Sequence, residues 1–185
     1  EKGIGNACFY KGFSVGAFGK YDSTEMYWER TEKIFTQTKD TIGLITLYNG
    51  YSILHNFKSD YSTAITYLLK AEALLKNPQN PEFRRKQFEI YANLGFNLVA
   101  ENQTEKGIDY MKKASAILAA EAFKSAPRYR VTLYNHVAEA YLKIKKYPEA
   151  KNYLDSAFND KHAPKNNFTL SMLLKTKALY YESID

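Results

Sequence analysis

Side-chain carboxamides are the groups through which this chain has most to offer a ligand. Asn49 and Asn135 each follow directly on a tyrosine, and Asn6 and Asn93 stand near the equivalent places elsewhere. A carboxamide carries a donor and an acceptor together, so a row of them can hold the N–H and C=O groups of an extended peptide without reading its sequence. Apolar residues are interleaved with them. Phe9, Phe13, Ile53 and Phe96 would give anchor sites, and Glu139 occupies the place equivalent to Phe13, Ile53 and Phe96. This is the chemistry of recognition, not of bond making.

Catalysis finds no comparable support. His55, His136 and His162 lack the i,i+4 spacing and the nearby carboxylates of a metal-binding pattern. By its spacing His55 reads as a core-edge residue, and His136 as an exposed one beside the asparagines. No glycine-rich phosphate loop occurs, and Gly16 and Gly19 read as a turn. Cys8 is the sole cysteine, so neither an intrachain disulfide nor a cysteine-based metal site is expected. It reads as a small, buried, inert group and leaves a cytoplasmic and a periplasmic location equally open. No enzyme activity, no metal and no cofactor are therefore expected.

Composition bounds the rest. Of 185 residues 45% are apolar and 15% aromatic, enough for a packed interior, while five prolines and nine glycines are few enough for a helical chain. No apolar run is long enough to span a membrane. The net charge of +6 is spread out, with its densest spots at Arg84–Lys86 and Lys143–Lys146. A nucleic-acid footprint would need a continuous basic stripe. Sixteen tyrosines could form a stacking platform for single strands, but the spacing of Tyr48, Tyr91 and Tyr134 places them on a packing face. The chain begins with Glu1, which suggests a processed or excised piece of a longer protein.

The elements that must position these residues are legible in an internal repeat. Tyr48, Tyr91 and Tyr134 lie 43 residues apart, and the same offsets from each carry the same residue kinds. Tyr134, for example, is followed by Val137, Ala138, Tyr141, Tyr147, Ala150, Leu154 and Ala157, matching Leu94, Gly95, Leu98, Thr104, Gly107, Met111 and Ala114 after Tyr91. A period of this length is the mark of stacked repeats. Each unit reads as two antiparallel helices with apolar residues at three-and-four spacing. Nine helices are predicted, over 5–18, 22–38, 41–57, 60–76, 80–101, 104–124, 127–145, 147–159 and 167–184. They group into repeats over about 5–40, 41–79, 80–126 and 127–166, with the first helix of a fifth at 167–185. Gly95 and Ala138 on first helices, and Ala64, Gly107 and Ala150 on second ones, are small enough to let two axes cross at about 8–10 Å. Asp22 or Ser23, Ser59 or Asp60, and Thr104 read as N-caps. Pro148 suits a first turn.

The pattern resembles the tetratricopeptide repeat, over nearly the whole chain and best in the stretch YNHVAEAYLKIKKYPEAKNYLDSAF. The first repeat departs from it, with Cys8 in place of tyrosine and Lys11 in place of an apolar residue. Spacings of 40, 43 and 43 also exceed the family's usual length of about 34. Long units of this kind are similar to those of bacterial signalling proteins, where such arrays precede a kinase or a DNA-binding domain. The resemblance implies an all-α, right-handed α-solenoid of antiparallel helical hairpins whose first helices line a concave wall. It implies a non-enzymatic peptide- or protein-binding module, serving as the sensory or regulatory arm of a larger protein. The lysines with which chaperone-binding members grip a C-terminal carboxylate are not apparent here. An assembly scaffold that associates through its ends is the alternative, and an RNA-binding helical repeat a weaker one. No nucleic acid and no membrane contact are expected of this stretch. Self-association through the C-terminal helix is expected, because Met172, Leu173, Leu174, Leu179, Tyr180, Tyr181 and Ile184 are too many for one buried side.

Overall fold

The computed structural model describes residues 1–75, 80–119, 127–160 and 166–184. Among these it contains nine α-helices and no strand: α1 (Lys2–Ala17), α2 (Tyr21–Gln37), α3 (Thr41–Phe57), α4 (Tyr61–Ala73), α5 (Pro81–Ala100), α6 (Thr104–Ala119), α7 (Pro127–Lys143), α8 (Tyr147–Phe158) and α9 (Asn167–Ile184). The all-α expectation holds, and α3 and α9 coincide with their predicted spans. The predicted end of α4 at 76, the stretch 120–124 at the end of α6, and His162 lie outside the described residues.

Two compact units result, Glu1–Ile90 and Tyr91–Asp185, with the boundary inside α5. In the first, α1 packs on α2, α2 on α3 and α3 on α4, and α1 also meets α3. In the second, α6 packs on α7, α7 on α8, and α9 on both α7 and α8. Small residues set the approach, as the sequence suggests. A Cβ on Gly95 would lie 2.9 Å from the Gly107 carbonyl oxygen, and one on Gly107 would lie 2.7 Å from that of Gly95. Ala64, Ala138 and Ala150 are fully buried. Along α1 and α2, Gly5 faces Phe35, Gly12 faces Trp28 and Gly16 faces Thr24, so residue numbers fall along one helix as they rise along the other.

First helices end in a common way. Gly19, Ser59, Asn102 and Lys145 all have left-handed backbone, with φ of 74°, 57°, 63° and 58°. The residue after each donates its N–H five residues back: Lys20 to Val15, Asp60 to His55, Gln103 to Leu98 and Lys146 to Tyr141. This is the Schellman arrangement, which satisfies carbonyls that the helix end leaves open. Of the predicted caps, Asp60 is confirmed, its Oδ1 accepting from Thr63 N–H at 3.1 Å. Asp40 caps α3 in the same way through Gly43 N–H at 3.0 Å, which the sequence reading missed. Two expectations fail. α2 starts at Tyr21 behind Lys20, so Asp22 and Ser23 fall inside its first turn. Thr104 is the first residue of α6 rather than its cap. Gly16 likewise lies within α1, where it gives Thr24 room, and not in the turn. Pro148 stands in the first turn of α8 as expected.

The core of the first unit is aromatic: Trp28, Phe35, Leu47, Tyr51 and Leu54, with Phe9, Tyr27, Tyr48 and Tyr67 packed around it. In the second unit, Val131, Ala157 and Leu173 are joined by Tyr134, Phe158 and Met172. Tyr48, Tyr91 and Tyr134 are half-buried rather than sealed. Each rests on a tyrosine nineteen residues later, Tyr67, Tyr110 or Tyr153, at centroid distances of 6.2, 5.7 and 5.6 Å. Lys70 lies 4.9 Å over the Tyr67 ring and Lys113 lies 4.5 Å over the Tyr110 ring. Such cation–π contacts add modest attraction at exposed sites. Cys8, expected to be buried, is only half-buried.

Candidate functional site

Phe13 of α1 and Ile53 of α3, both expected as anchor residues, meet at a pocket of about 210 Å³. Trp28 and Leu54 form its floor, Gly16 and Thr24 close one side, and Phe57 completes the rim. The pocket offers no polar partner. Its one hydroxyl, on Thr24, is already turned to the carbonyls of Gly12 and Lys20, each at 3.1 Å. Phe13 and Phe57 remain 53% and 73% exposed. They flank the mouth and would bury apolar area only when something enters. Pockets for whole small molecules run to about 300–1,000 Å³, so this one suits a single large apolar side chain.

Aromatic stacking fixes its floor. Phe9 lies against Trp28 at 5.7 Å with nearly parallel planes, and Trp28 Nε1–H donates to the Phe9 carbonyl at 3.0 Å. Trp28 in turn meets Tyr51 edge-on at 5.1 Å, and Tyr51 stacks on Tyr67 at 4.5 Å. Gly50 makes room for this, since a Cβ there would meet Phe9 at 3.2 Å. Phe9 is thus half-buried and serves the floor more than the surface. It also reaches a second, polar pocket of about 240 Å³, which Asn6 lines together with Lys2, Asp40, Thr46 and Lys86. The charges there are matched within the fold: Lys2 Nζ is 3.1 Å from Asp40 and Lys86 Nζ donates to Glu89 at 3.0 Å. Asn49 is half-buried and lines neither of these two pockets.

The second unit gathers a different set. Phe96 meets His136 edge-on at 5.4 Å. His136 Nδ1 lies 3.2 Å from Glu139 Oε2, while Glu139 Oε1 accepts from Asn135 Nδ2 at 3.1 Å and from Thr176 Oγ1 at 2.9 Å. Burial alone would push the Glu139 carboxyl up, but the hydrogen bond and charge of His136, helped by Thr176 and Asn135, outweigh it and hold the group below the usual carboxylate range. Three predicted site residues, Phe96, Asn135 and Glu139, are therefore brought together. His136 and Thr176 complete the cluster and were not predicted in that role. Glu139, with its side chain 37% exposed, is an ionised acceptor poised for an N–H donor or a cation.

Asn135 does not stand on an accessible wall. It is fully buried, and its amide N–H₂ is directed to Glu139 four residues on, a spacing that puts both on one helical face. Among the described residues its Oδ1 has no hydrogen-bond partner. Asn93 is half-buried, and its carbonyl accepts from the fully buried Asn97 at 2.8 Å. His55, read as core-edge, stacks on Tyr67 at 5.6 Å with Nδ1 3.0 Å from Asp60.

No family model matches the chain, and no curated protein matches its sequence. Among the described residues no group of three or more His, Cys, Asp or Glu could hold a metal ion, and no helix is long and apolar enough to cross a membrane. The tyrosines and lysines of the stacked pairs carried a signal that the sequence reading passed over. Tyr27, Tyr67, Tyr110 and Tyr153 recur at 40, 43 and 43, and Lys70 and Lys113 at 43.

Proposed function

We propose that this chain is a non-enzymatic binding module that accepts an extended peptide along the first helices of its repeats. The observation that carries the reading is the apolar pocket at Phe13 and Ile53. It is shaped for one large side chain, its one hydroxyl is already engaged within the fold, and it is rimmed by phenylalanines left exposed. Asn49 on α3 and Asn6 on α1 are the candidate holders of the peptide backbone, and Glu139 is a candidate acceptor in the second unit. Asn135 acts in this scheme through Glu139. The repeat period supports a right-handed solenoid of helical hairpins of the tetratricopeptide kind, and with it a role as the regulatory arm of a larger bacterial signalling protein.

Trp28, the chain's single tryptophan, forms part of the pocket and reports on occupancy. Peptides differing only in one residue, Phe or Leu against Ser, are to be titrated while its emission is followed. Burying one such side chain is worth about 1.5–3 kcal/mol, so the apolar peptide should bind roughly 10- to 150-fold more tightly. Phe13→Asp with Ile53→Asp should remove that preference. Asn49→Ala should weaken both peptides by roughly two- to tenfold, the loss of one hydrogen bond. Equal binding of the two peptides, or a preference that survives in the double variant, would end the proposal.

A further inference from the structure

The polar pocket of the first unit, about 240 Å³, is lined from three first helices: by Lys2 of α1, by Asp40 at the start of α3, and by Glu82, Arg85 and Lys86 of α5. All of these belong to the unit Glu1–Ile90. Two cations on its wall are matched inside the fold. Lys2 Nζ is 3.1 Å from one oxygen of Asp40, whose other oxygen caps α3 through Gly43 N–H. Lys86 donates to Glu89.

Three groups on the same wall keep unused capacity. Lys86 is only 8% exposed, and an ammonium has three donors, yet among the described residues it makes a single hydrogen bond, to Glu89. A buried charge is costly unless it is both paired and hydrogen-bonded. Arg85 Nε lies 3.9 Å from Glu89 Oε1, too far for a hydrogen bond, and its guanidinium makes none among the described residues. Glu82 has the reverse lack. Its backbone N–H is held by Asn80, but its carboxylate accepts nothing among the described residues. Glu82 stands three and four residues before Arg85 and Lys86, the spacing at which opposite charges pair along a helix. Both cations turn to Glu89 instead.

These groups describe a ligand. Lys86 and Arg85 call for a carboxylate, which the planar guanidinium fork matches. Glu82 calls for an ammonium. With Lys2 set against Asp40 and Lys86 against Glu89, the charges left over are one positive, on Arg85, and one negative, on Glu82. A ligand of both signs and no net charge fits them. A phosphate dianion would meet the carboxylates of Asp40 and Glu82, and a diamine would meet Arg85 and Lys86. The volume lies below the range of about 300–1,000 Å³ for pockets that take drug-sized molecules, so the occupant is small. We infer that this pocket binds a free amino acid as its zwitterion, the carboxylate held by Lys86 and Arg85 and the ammonium by Glu82. The site shares no lining residue with the pocket at Phe13.

The full chain, labelled for amide resonances, is titrated with glycine and with γ-aminobutyrate, which set the two charges at short and long spacing. Propionate and propylammonium, with one charge each, are the controls. The amides of Gly43 and Lys86 should shift saturably with at least one zwitterion, and either control should bind at least tenfold more weakly. Glu82→Gln and Arg85→Gln, both at exposed residues, should each weaken that zwitterion at least tenfold, the loss of a charge-assisted hydrogen bond, with the melting temperature unchanged. Phe13→Asp with Ile53→Asp should leave it unaltered, so this inference and the peptide reading can fail separately. The inference is overturned by the absence of a saturable shift with both zwitterions, by propionate binding as tightly as the better of them, or by undiminished binding to the Glu82→Gln variant.

Discussion

Replacing Gly12 by Ala tests how the aromatic floor of the pocket is built. A Cβ at Gly12 would lie 2.5 Å from both Cδ1 and Nε1 of Trp28 and 3.2 Å from Tyr27 Cβ. The indole cannot slide away freely. It is 2% exposed, stacked on Phe9, met edge-on by Tyr51, and tied to the Phe9 carbonyl through Nε1. Ala is the better helix former by about 1 kcal/mol. Against that, overpacking a tight core costs about 1–3 kcal/mol. If the ring swings aside, its buried N–H loses an acceptor at a further cost of about 1–3 kcal/mol. The balance is a destabilisation of about 2 kcal/mol. Gly3 lies on the same helix with nothing within 4 Å of a Cβ, so Gly3→Ala should instead stabilise by about 0.5–1 kcal/mol. Urea unfolding followed by circular dichroism gives both values, and Trp28 emission shows whether the ring has moved. If Gly12→Ala proves as stabilising as Gly3→Ala, with emission unchanged, Trp28 does not sit on Gly12 and the account of the pocket floor is wrong.

Three further outcomes follow from the same geometry. Ser59 and Lys145 hold left-handed backbone at φ of 57° and 58°, so Ser59→Gly and Lys145→Gly should each raise the urea midpoint by the equivalent of about 0.5–1 kcal/mol, the relief of Cβ strain less the extra chain entropy of glycine. Burial and the 2.7 Å bond to Glu32 push the Tyr48 hydroxyl from 10.0 up to about 12. The stabilisation that its neutral form brings is complete below pH 10 and fades as pH rises through 12, and Tyr48→Phe should flatten that limb in alkaline unfolding. Glu139 is held below its ordinary 4.5, so its contribution is present above pH 4.5 and lost as pH falls through the lower folded value. Glu139→Gln should reduce the acid sensitivity of the second unit, as read by amide exchange across α7 and α9.

How much of this the sequence carries depends on how many neighbours decide each feature. The helices were legible because each buries at least one stripe at three-and-four spacing, which imprints a regular pattern; α3 and α9 match their predicted spans to the residue. The left-handed turn residues were half legible. Gly19 announces itself and Asn102 tolerates such backbone, but Ser59 and Lys145 are marked only by their common offset from Gly19. That Phe13 and Ile53 hold one place in successive repeats was legible from offset alone; the pocket between them was not. Nor was the burial of Asn135, although Asn49 shares its offset. Glu139 four residues later captures the amide, a partner that this repeat alone supplies at that place, where Phe13, Ile53 and Phe96 stand in the others. Thr176, a further donor to Glu139, is 37 residues away, and no local pattern reports a contact of that range.

The contrast between Ile53 and Glu139 says how such a chain can vary the chemistry that its first helices present. The stacked tyrosine pairs recur from α3 to α8 and the left-handed turns after α1, α3, α5 and α7, with small residues at the crossings, and they hold each first helix against its neighbour there. The residue five places after the repeating tyrosine is free of those duties. In the first unit that place holds Phe13 and Ile53 and forms an apolar pocket. In the second it holds Phe96 and Glu139, and the outcome is an ionised carboxylate gathered by His136, Asn135 and Thr176. Equivalent positions thus present opposite chemistry on a common scaffold. A substitution there alters what the first helices offer a ligand without disturbing the contacts that hold them, whereas one at Gly12, Gly95 or Gly107 strikes the neighbouring helix.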